Sequence, residues 1–212
     1  MTTTPPKLPL VAILRGLAPA ETLAVADVLY QAGFRALEVP LNRPGALECI
    51  ALLAASAPAD TLIGGGTMLS VADVEAVHRA GGRLLVSPNC NPAVIRRAAA
   101  LDMYCAPGVA TPTEAFAALD AGAHALKLFP ADMLGHAGLK SFKSVLPASV
   151  PLWPVGGITP DNMAGWVGAG ASGFGIGGQL YTPGAGLEAL AQRATAYVAA
   201  WRRTQAATPL TQ

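Results

Sequence analysis

The chain has 212 residues, which is enough for one well-buried core, and no shift in composition marks a second domain. Fourteen basic and thirteen acidic side chains give a net charge of +1, without the basic runs that follow a nucleic-acid backbone, which argues against a nucleic-acid partner. Although 52% of the residues are hydrophobic, charged residues or prolines interrupt every long apolar stretch before the ~18 residues that a membrane helix needs. We therefore expect no membrane partner.

The amino terminus and the cysteines indicate a reducing compartment. Residues 1–6 lack the basic start and apolar centre of a secretory signal, and the cysteines are scattered as Cys49, Cys90 and Cys105. They form no C-x-x-C pair and have no paired histidines nearby, so the sequence contains no recognisable metal site. We expect a cytoplasmic protein whose cysteines serve as small buried side chains.

Eight short apolar runs alternate with amphipathic segments of helix length along the chain. Each run is nearly continuous in apolar residues, as expected of parallel strands that are covered on both faces. The predicted strands are Leu8 to Leu14, Arg35 to Pro40, Thr61 to Gly66, Arg83 to Ser87, Met103 to Pro107, His124 to Phe129, Pro151 to Val155 and Ser172 to Ile176.

The segments between these strands carry helix start and stop signals. Start signals lie at Pro19, Ser70, Asn91, Thr111 and Thr159. Glycines that suit the position just after a helix are Gly33, Gly81, Gly122 and Gly170. Three of these endings, at Gly33, Gly122 and Gly170, repeat the phrase Ala-Gly followed by Phe or Ala, which indicates a repeated structural unit.

Eight βα units within about 200 residues predict an α/β protein with a compact (β/α)8 TIM barrel as its single domain. We place the barrel at residues 8–203, between an N-terminal tail (1–7) and a C-terminal tail (204–212). A doubly wound open sheet is the alternative. The first strand is followed by Leu14-Arg15-Gly16-Leu17 and not by Gly-x-Gly-x-x-Gly, which argues against a dinucleotide-binding fold.

The carboxyl ends of barrel strands carry the chemistry of such folds, and polar or glycine residues stand at most of them here. Because eight strands converge on one mouth, residues 20 to 60 positions apart in sequence are expected to line one pocket. These residues are Arg15, Glu38 and Thr67 on the first three strands, Lys127 on the sixth, Gly156-Gly157 after the seventh, and Gly177-Gly178 after the eighth.

Lys127 and Glu38 each stand in the middle of an apolar strand, with apolar residues on both sides. A strand alternates its faces, so Leu126 and Leu128 are predicted to face the helices while Lys127 faces the barrel interior. The same parity turns Glu38 inward. A structural ion pair is the alternative, although buried pairs rarely gain much over apolar packing.

An amine in a dry pocket is a nucleophile for ketones, since burial favours its neutral form. Condensation with a ketone gives an iminium that weakens a neighbouring carbon-carbon bond, and a carboxylate in the same pocket can move the protons of that reaction. The glycines after strands seven and eight suit phosphate binding. Gly64-Gly65-Gly66 precedes no Walker lysine and is interpreted as crowding next to Thr67.

Four separated motifs resemble the 2-keto-3-deoxy-6-phosphogluconate/phosphogalactonate aldolase family over nearly the whole chain. They are residues 8–16 (LPLVAILRG), 38–42 (EVPLN), 64–67 (GGGT) and 126–130 (LKLFP). The resemblance implies a class I aldolase on a (β/α)8 barrel, commonly a homotrimer, that yields pyruvate and glyceraldehyde 3-phosphate. It also implies roles for individual residues: a Schiff-base lysine at Lys127, a proton-transfer glutamate at Glu38, a pyruvate-contacting threonine at Thr67, a substrate-binding arginine at Arg15, and phosphate loops at Gly156-Gly157 and Gly177-Gly178. No cofactor and no metal are expected.

Two departures from the gluconate-type members of the family favour the galactonate epimer as the phosphorylated sugar-acid substrate. Val155 replaces a threonine after strand seven, and Asn42 replaces an arginine four residues beyond the glutamate. Both are expected to contact the substrate. A methyl in place of a hydroxyl near C4 of the substrate would discriminate epimers. Arg43 is an alternative source of a carboxylate contact. Gly178 stands where the family frequently has serine, which leaves backbone donors for phosphate.

Three other functions stay open at this point. The same chemistry would act on 2-dehydro-3-deoxy-6-phosphogluconate or on 4-hydroxy-2-oxoglutarate. A non-catalytic barrel that binds a sugar phosphate would use Lys127 and Glu38 as a structural pair. A metal-dependent sugar-phosphate aldolase or epimerase would need several His, Asp or Glu ligands at strand ends, where the sequence does not have them.

Overall fold

The computed structural model describes residues 6–206 of the chain. Nine strands and eight α-helices alternate within this range. The strands are β1 (Leu10–Ile13), β2 (Ala36–Pro40), β3 (Leu62–Gly66), β4 (Leu84–Val86), β5 (Tyr104–Ala106), β6 (Gly108–Val109), β7 (Leu126–Leu128), β8 (Leu152–Pro154) and β9 (Phe174–Ile176). The helices are α1 (Thr22–Ala32), α2 (Ala46–Ser56), α3 (Val71–Arg79), α4 (Pro92–Ala100), α5 (Pro112–Asp120), α6 (Ala131–Val145), α7 (Met163–Ala169) and α8 (Leu187–Ala206).

The strands pair in parallel and form two sheets, one of six strands in the order β5-β4-β3-β2-β1-β9 and one of three in the order β6-β7-β8. The last strand thus lies beside the first, at one edge of the larger sheet. An α/β fold with curled parallel strands and eight covering helices confirms the predicted fold class at this level. Each predicted strand is present and is shorter than predicted at one or both ends, and β6 is an additional strand.

Side chains on opposite faces of the strands belong to two buried layers. The outer layer, between strands and helices, includes Leu37, Val39, Leu126 and Leu128, so the predicted alternation of β2 and β7 is confirmed. We call the second layer the inner core, and its tight packing includes the stacked rings of Tyr104 and Trp153, whose centroids are 5.7 Å apart. Its members are Val11, Ala36, Leu84, Val86, Tyr104, Ala106, Ala125 and Trp153.

Most predicted helix boundaries are confirmed by capping geometry. Ser70 and Thr111 form capping boxes at the starts of α3 and α5, and Asn91 caps α4 through its side chain. The four predicted stop glycines all have positive φ values, between 91° and 113°. The predicted start at Thr159 is wrong, because α7 begins at Met163. Just before α7, the Asn162 side chain accepts a hydrogen bond from the Thr159 amide, which holds residues 159–162 in a turn.

The predicted tails differ in part from the structure. Pro6, in the predicted N-terminal tail, is buried, and α8 continues to Ala206, inside the predicted C-terminal tail. The remaining tail residues, 1–5 and 207–212, lie outside the described residues. Within residues 6–206, no helix combines the length and the apolar character needed to cross a membrane.

Candidate active site

The two charged residues predicted inside the strands are both buried on the inner face. Glu38 lies in β2 and is 2% exposed, and Lys127 lies in β7 and is 8% exposed. Both border the same small hollow above the inner core, together with Val86, Ala106 and Trp153. The inner core therefore forms a dry floor beneath an amine and a carboxylate.

Above this floor lies a cavity of about 390 Å³ at the carboxyl ends of the strands. Nine of the ten predicted site residues line it: Arg15, Glu38, Thr67, Lys127, Val155, Gly156, Gly157, Gly177 and Gly178. The tenth, Asn42, lies outside the lining, but its side-chain oxygen accepts a hydrogen bond from Arg15 Nη1 at 2.9 Å. Arg43 is exposed and also lies outside the lining.

The surroundings of Lys127 and Glu38 bring the pKa values of the two side chains closer together. Burial, opposed by the charges of Lys127 and Arg15, raises the pKa of Glu38 from 4.5 to about 7. Burial also lowers the pKa of Lys127; the charge of Glu38 opposes this shift and that of Arg15 adds to it. The two pKa values are therefore closer together than those of the free side chains, which lowers the cost of passing a proton between the two groups.

Lys127 and Glu38 do not form a direct ion pair, since the two ion pairs within residues 6–206 join Arg35 to Asp60 and Arg97 to Glu75. Glu38 Oε2 is buried and has no hydrogen-bond partner among the described residues. The Lys127 ammonium nitrogen lies 4.6 Å from the centroid of the Phe129 ring. A purely structural pair would bring the Lys127 ammonium and the Glu38 carboxylate into contact and give the carboxylate oxygen a partner. The arrangement therefore favours a site with room for a reactant.

Gly66 provides the space for the Glu38 carboxylate. A Cβ atom built on Gly66 would overlap Glu38 Oε2. In the register of β2 and β3, Glu38 lies opposite Gly64, so Gly66 is two residues farther along β3 on the same face. The neighbouring glycines are crowded by other groups, Gly64 by the Leu84 backbone and Gly65 by Val77. The crowding predicted for this triplet is therefore present, but it comes from neighbouring strands and helices and not from Thr67.

Gly66→Ala is expected to displace the Glu38 carboxylate from its place in the cavity. We expect kcat for the reaction proposed below to fall at least about 100-fold, the scale of a lost acid-base group. Overpacking should also destabilise the fold by about 1–3 kcal/mol. Steady-state kinetics and thermal melts measure both effects. The control is Gly168→Ala on the exposed face of α7, where a Cβ meets nothing within 4 Å; wild-type kcat in Gly66→Ala would contradict this role of Gly66.

Thr67 has a backbone conformation that β-branched residues rarely adopt. Its φ is +54°, and it follows directly on the last glycine of β3. Such a conformation costs of order 1–3 kcal/mol and persists where surrounding structure imposes it, often at a functional site. The strained turn leaves Thr67 half-buried in the cavity wall.

Glycine suits the two loop pairs for different reasons, which are the backbone conformation at Gly156-Gly157 and the open space at Gly177-Gly178. Gly156 and Gly157 have φ values of 115° and 67°, and the Gly157 carbonyl accepts a hydrogen bond from Asn162 Nδ2 at 2.8 Å, which holds this loop in place. Gly177 and Gly178 do not have positive φ, and a Cβ on Gly178 would meet nothing within 4 Å. The second pair therefore leaves open space in the cavity wall.

Several further residues line the cavity that the sequence did not single out. Phe129 is two residues from Lys127 and therefore on the same face of the chain, a parity signal that could have identified it. Three of the others lie in strands, Ile13 in β1 and Gly175 and Ile176 in β9, and the rest come from loops, where no periodic pattern predicts direction. Together these other residues are Ile13, Pro88, Ile158, Gly175, Ile176, Gln179, Tyr181, Thr182 and Pro183.

Val155 forms part of the wall between the two sheets. It is buried and pairs with Gly175 in a single parallel bridge, and a Cβ on Gly175 would lie 2.6 Å from Val155 Cγ2. The Val155 side chain therefore packs directly against Gly175, which has no side chain. A side chain of similar size at this position, such as threonine, therefore changes the chemistry of the wall without opening a space in it.

No group of three or more His, Cys, Asp or Glu residues within 6–206 is placed to hold a metal ion. The cavity offers instead an amine, a carboxylate, a guanidinium and a hydroxyl around an apolar floor. Such a set can bind an anionic ketone, form an imine with it and transfer its protons.

Comparison with known proteins identifies the family. The sequence pattern described as "Aldolase: KDPG and KHG aldolase" matches residues 3–191. The chain belongs to the KDPG and KHG aldolase family. The 2-dehydro-3-deoxy-6-phosphogalactonate aldolase of Escherichia coli (strain K12) is 46% identical to it over 196 residues, which are 92% of this chain and 96% of the relative.

Solved structures of KDPG and KHG aldolases share this fold. A structure described as native KDPGal has a TM-score of 0.93 at 46% identity and covers 94% of this chain and 97% of its own. The KDPG aldolase of Legionella pneumophila, solved with pyruvate captured as a covalent carbinolamine intermediate, has a TM-score of 0.82 at 26% identity. That alignment covers 93% of this chain and 99% of the Legionella chain.

Proposed function

We propose that this protein is a class I aldolase that cleaves 2-dehydro-3-deoxy-6-phospho-D-galactonate to pyruvate and D-glyceraldehyde 3-phosphate. The observation that carries this proposal is the pairing of a buried lysine, whose pKa is lowered, with a buried glutamate, whose pKa is raised, in one cavity. The family and the 46% identical phosphogalactonate aldolase support the reaction and the substrate.

Lys127 is proposed as the nucleophile. Its neutral amine adds to the C2 ketone and forms a carbinolamine, which loses water to become an iminium. Burial of Lys127 and the nearby charge of Arg15 favour the neutral amine that this step needs. The carbinolamine captured in the Legionella KDPG aldolase supports the same first intermediate here.

Glu38 is proposed as the group that moves protons. Its carboxylate takes the proton of the C4 hydroxyl as the C3–C4 bond breaks, so that D-glyceraldehyde 3-phosphate leaves and the bond's electrons form an enamine with the iminium. The protonated Glu38 then returns the proton to C3. Hydrolysis of the resulting iminium releases pyruvate and regenerates the Lys127 amine. A carboxyl with a pKa of about 7 can do both steps near neutral pH.

The other lining residues are proposed to hold the two ends of the substrate. Thr67 would contact the pyruvate portion beside Glu38, and Arg15 would bind an anionic group. The loops at Gly156-Gly157 and Gly177-Gly178 leave space in which a phosphate can approach backbone amides closely. Charge on the substrate would thus be met by one guanidinium and by backbone donors.

The two sheets are proposed to close as a (β/α)8 barrel. Val155 and Gly175 bridge β8 and β9 on one side. On the other side, the amides of Ala125 and Lys127 donate to the carbonyls of Cys105 and Pro107. Pro107 separates β5 from β6 because it has no amide hydrogen to donate, so these two short strands would be parts of one, giving eight. Assembly as a homotrimer and a cytoplasmic location belong to this proposal through the family resemblance.

The direct test is pyruvate release from 2-dehydro-3-deoxy-6-phospho-D-galactonate, measured with a lactate dehydrogenase coupled assay in the presence of EDTA. The proposal expects turnover that EDTA does not change. Borohydride reduction in the presence of pyruvate should add a pyruvate-derived mass to the peptide that carries Lys127. Turnover that EDTA abolishes and a divalent ion restores would instead favour a metal-dependent aldolase, and binding without turnover a sugar-phosphate-binding protein.

Val155→Thr is expected to shift the preference between the C4 epimers toward 2-dehydro-3-deoxy-6-phosphogluconate by about tenfold, the effect of one hydrogen bond. The threonine would place a hydroxyl where the wall of the wild-type cavity carries a methyl. Comparing kcat/KM for both epimers in both proteins measures the shift. The control is Val145→Thr at the exposed end of α6. An equal ratio in wild type and Val155→Thr would refute this role of Val155.

A further inference from the structure

Asn42 contacts the arginine of the cavity and not the cavity itself. The Asn42 side-chain oxygen accepts a hydrogen bond from Arg15 Nη1 at 2.9 Å, and Asn42 is exposed. Arg15 follows β1 and Asn42 follows β2, and these strands pair with Ile13 opposite Glu38. Neighbouring strand ends therefore bring the amide and the guanidinium together.

The loop after β9 lies close to Gly16, the residue that follows Arg15. A Cβ built on Gly16 would lie 3.1 Å from Pro183 Cγ, and both Pro183 and Arg15 line the cavity. The backbone of Arg15 thus emerges between this loop and the loop that carries Asn42. The hydrogen bond to Asn42 then selects one direction for a long side chain that would otherwise sample many.

We propose that Asn42 is a positioning residue, which acts through Arg15 by holding its guanidinium toward the anionic end of the substrate. The inference rests on the proposed function and assigns Asn42 a role other than the direct substrate contact expected from the sequence. A guanidinium that is already held in place loses less conformational freedom on binding, so the hydrogen bond contributes to substrate affinity.

A neutral acceptor is the side chain that suits this position. An aspartate would also hold Arg15, but its charge would neutralise the guanidinium and repel an anionic substrate. A second cation would repel Arg15. An asparagine oxygen accepts one hydrogen bond and leaves the full positive charge of Arg15 for the ligand.

The charge of Arg15 also acts on the reacting groups. It lowers the pKa of Glu38 and adds to the lowering of the pKa of Lys127. If Arg15 swings away from the cavity, both pKa values rise, and the pH-activity profile moves to higher pH. A side chain that only stabilised the loop would leave this profile in place.

The test compares Asn42→Ala and Asn42→Asp with wild type on 2-dehydro-3-deoxy-6-phospho-D-galactonate. In Asn42→Ala we expect KM to rise about 3- to 10-fold, the range of one hydrogen bond near solvent, with a smaller change in kcat and a profile displaced to higher pH. Asn42→Asp should keep Arg15 ordered but raise KM and move the profile in the same direction, because its charge raises both pKa values. The matched control is Arg43→Ala, the exposed neighbour outside the cavity.

A double-substitution cycle separates action through Arg15 from other effects. In an Arg15→Ala background, Asn42→Ala is expected to cause no further rise in KM. Two measurements show which anionic end of the substrate Arg15 holds. They are the inhibition by inorganic phosphate and the pyruvate concentration that gives half-maximal borohydride trapping. A weaker phosphate effect in Asn42→Ala assigns the phosphate end, and a higher pyruvate requirement assigns the carboxylate end.

Additive KM effects of Arg15→Ala and Asn42→Ala would overturn the inference, as would an equal effect of Arg43→Ala or a wild-type KM and pH profile in Asn42→Ala. These outcomes leave the proposed function standing as long as wild-type protein traps pyruvate on Lys127. Wild-type protein that traps no pyruvate would instead count against the proposed function itself.

Discussion

Lys127→Ala is expected to abolish cleavage, with kcat reduced by about 10⁴-fold or more, the scale on which removal of a covalent nucleophile acts. The amine lies in a cavity floored by apolar side chains, and no other lysine lines that cavity within residues 6–206. Borohydride with pyruvate should add no mass to the Lys127→Ala protein, whereas wild type should carry one adduct. Mass spectrometry of the intact chain and of its peptides measures this.

The control for Lys127→Ala is Lys140→Ala, an exposed lysine on α6. It should trap pyruvate and turn over as wild type does. Circular dichroism should show that both variants remain folded, since removal of a buried ammonium also removes its desolvation cost. Cleavage that survives in Lys127→Ala, or an adduct on a different lysine, would refute imine formation at this residue.

The direction of Lys127 could be predicted because strand parity is a local rule. Apolar residues on both sides of Lys127 and Glu38 indicated strands covered on both faces, and a period of two then turned both charges inward. The structure confirms this alternation for β2 and β7. Residues at strand ends were predictable for the same reason, since strand direction alone decides which ends meet.

Features that depend on the contact between two strands were not predictable in the same way. Gly66 is required by the Glu38 carboxylate, which lies on a neighbouring strand, and this follows from the register that places Glu38 opposite Gly64, two residues before Gly66. Sequence alone does not give that register. The interpretation of the glycine triplet as crowding was right in kind, but it assigned the wrong neighbour.

Loop side chains were the least predictable part of the site. Asn42 was expected to contact substrate, yet it lies behind Arg15, because the direction of a loop side chain depends on its partners and not on a repeating pattern. Tyr181 and Thr182 line the cavity from a loop that has no periodic signal. The start of α7 was misplaced because Asn162 forms its hydrogen bonds to the preceding loop.

Glu38→Gln is expected to lower kcat by about 10²- to 10⁴-fold while leaving detectable pyruvate trapping on Lys127. Glutamine keeps the size of the side chain but cannot take the C4 hydroxyl proton. Imine formation would continue at a reduced rate, because the Lys127 amine remains in its dry pocket. Single-turnover kinetics and borohydride trapping separate these two steps.

The pH dependence gives a second expectation for the same variant. Wild-type kcat should rise with pH through about 7 as Glu38 ionises and becomes able to accept a proton. This rise of kcat with pH should be absent in Glu38→Gln. The control variant Glu188→Gln, which changes an exposed residue, should retain it. A rise near pH 7 that persists in Glu38→Gln would assign the titration to another group.

Stability should change with pH in a direction set by the same carboxyl. Because the folded pKa of Glu38 is raised from 4.5 to about 7, its protonated form stabilises the fold at low pH, and this contribution is lost as pH rises through about 7. Glu38→Gln does not lose it, so the melting temperature of the variant should gain on that of wild type between pH 4.5 and 7. The full difference corresponds to about 3 kcal/mol. A constant difference across that range would mean that Glu38 is not held in its protonated form by burial, and the carboxylate would then be too weak a base to take up the C4 hydroxyl proton near neutral pH.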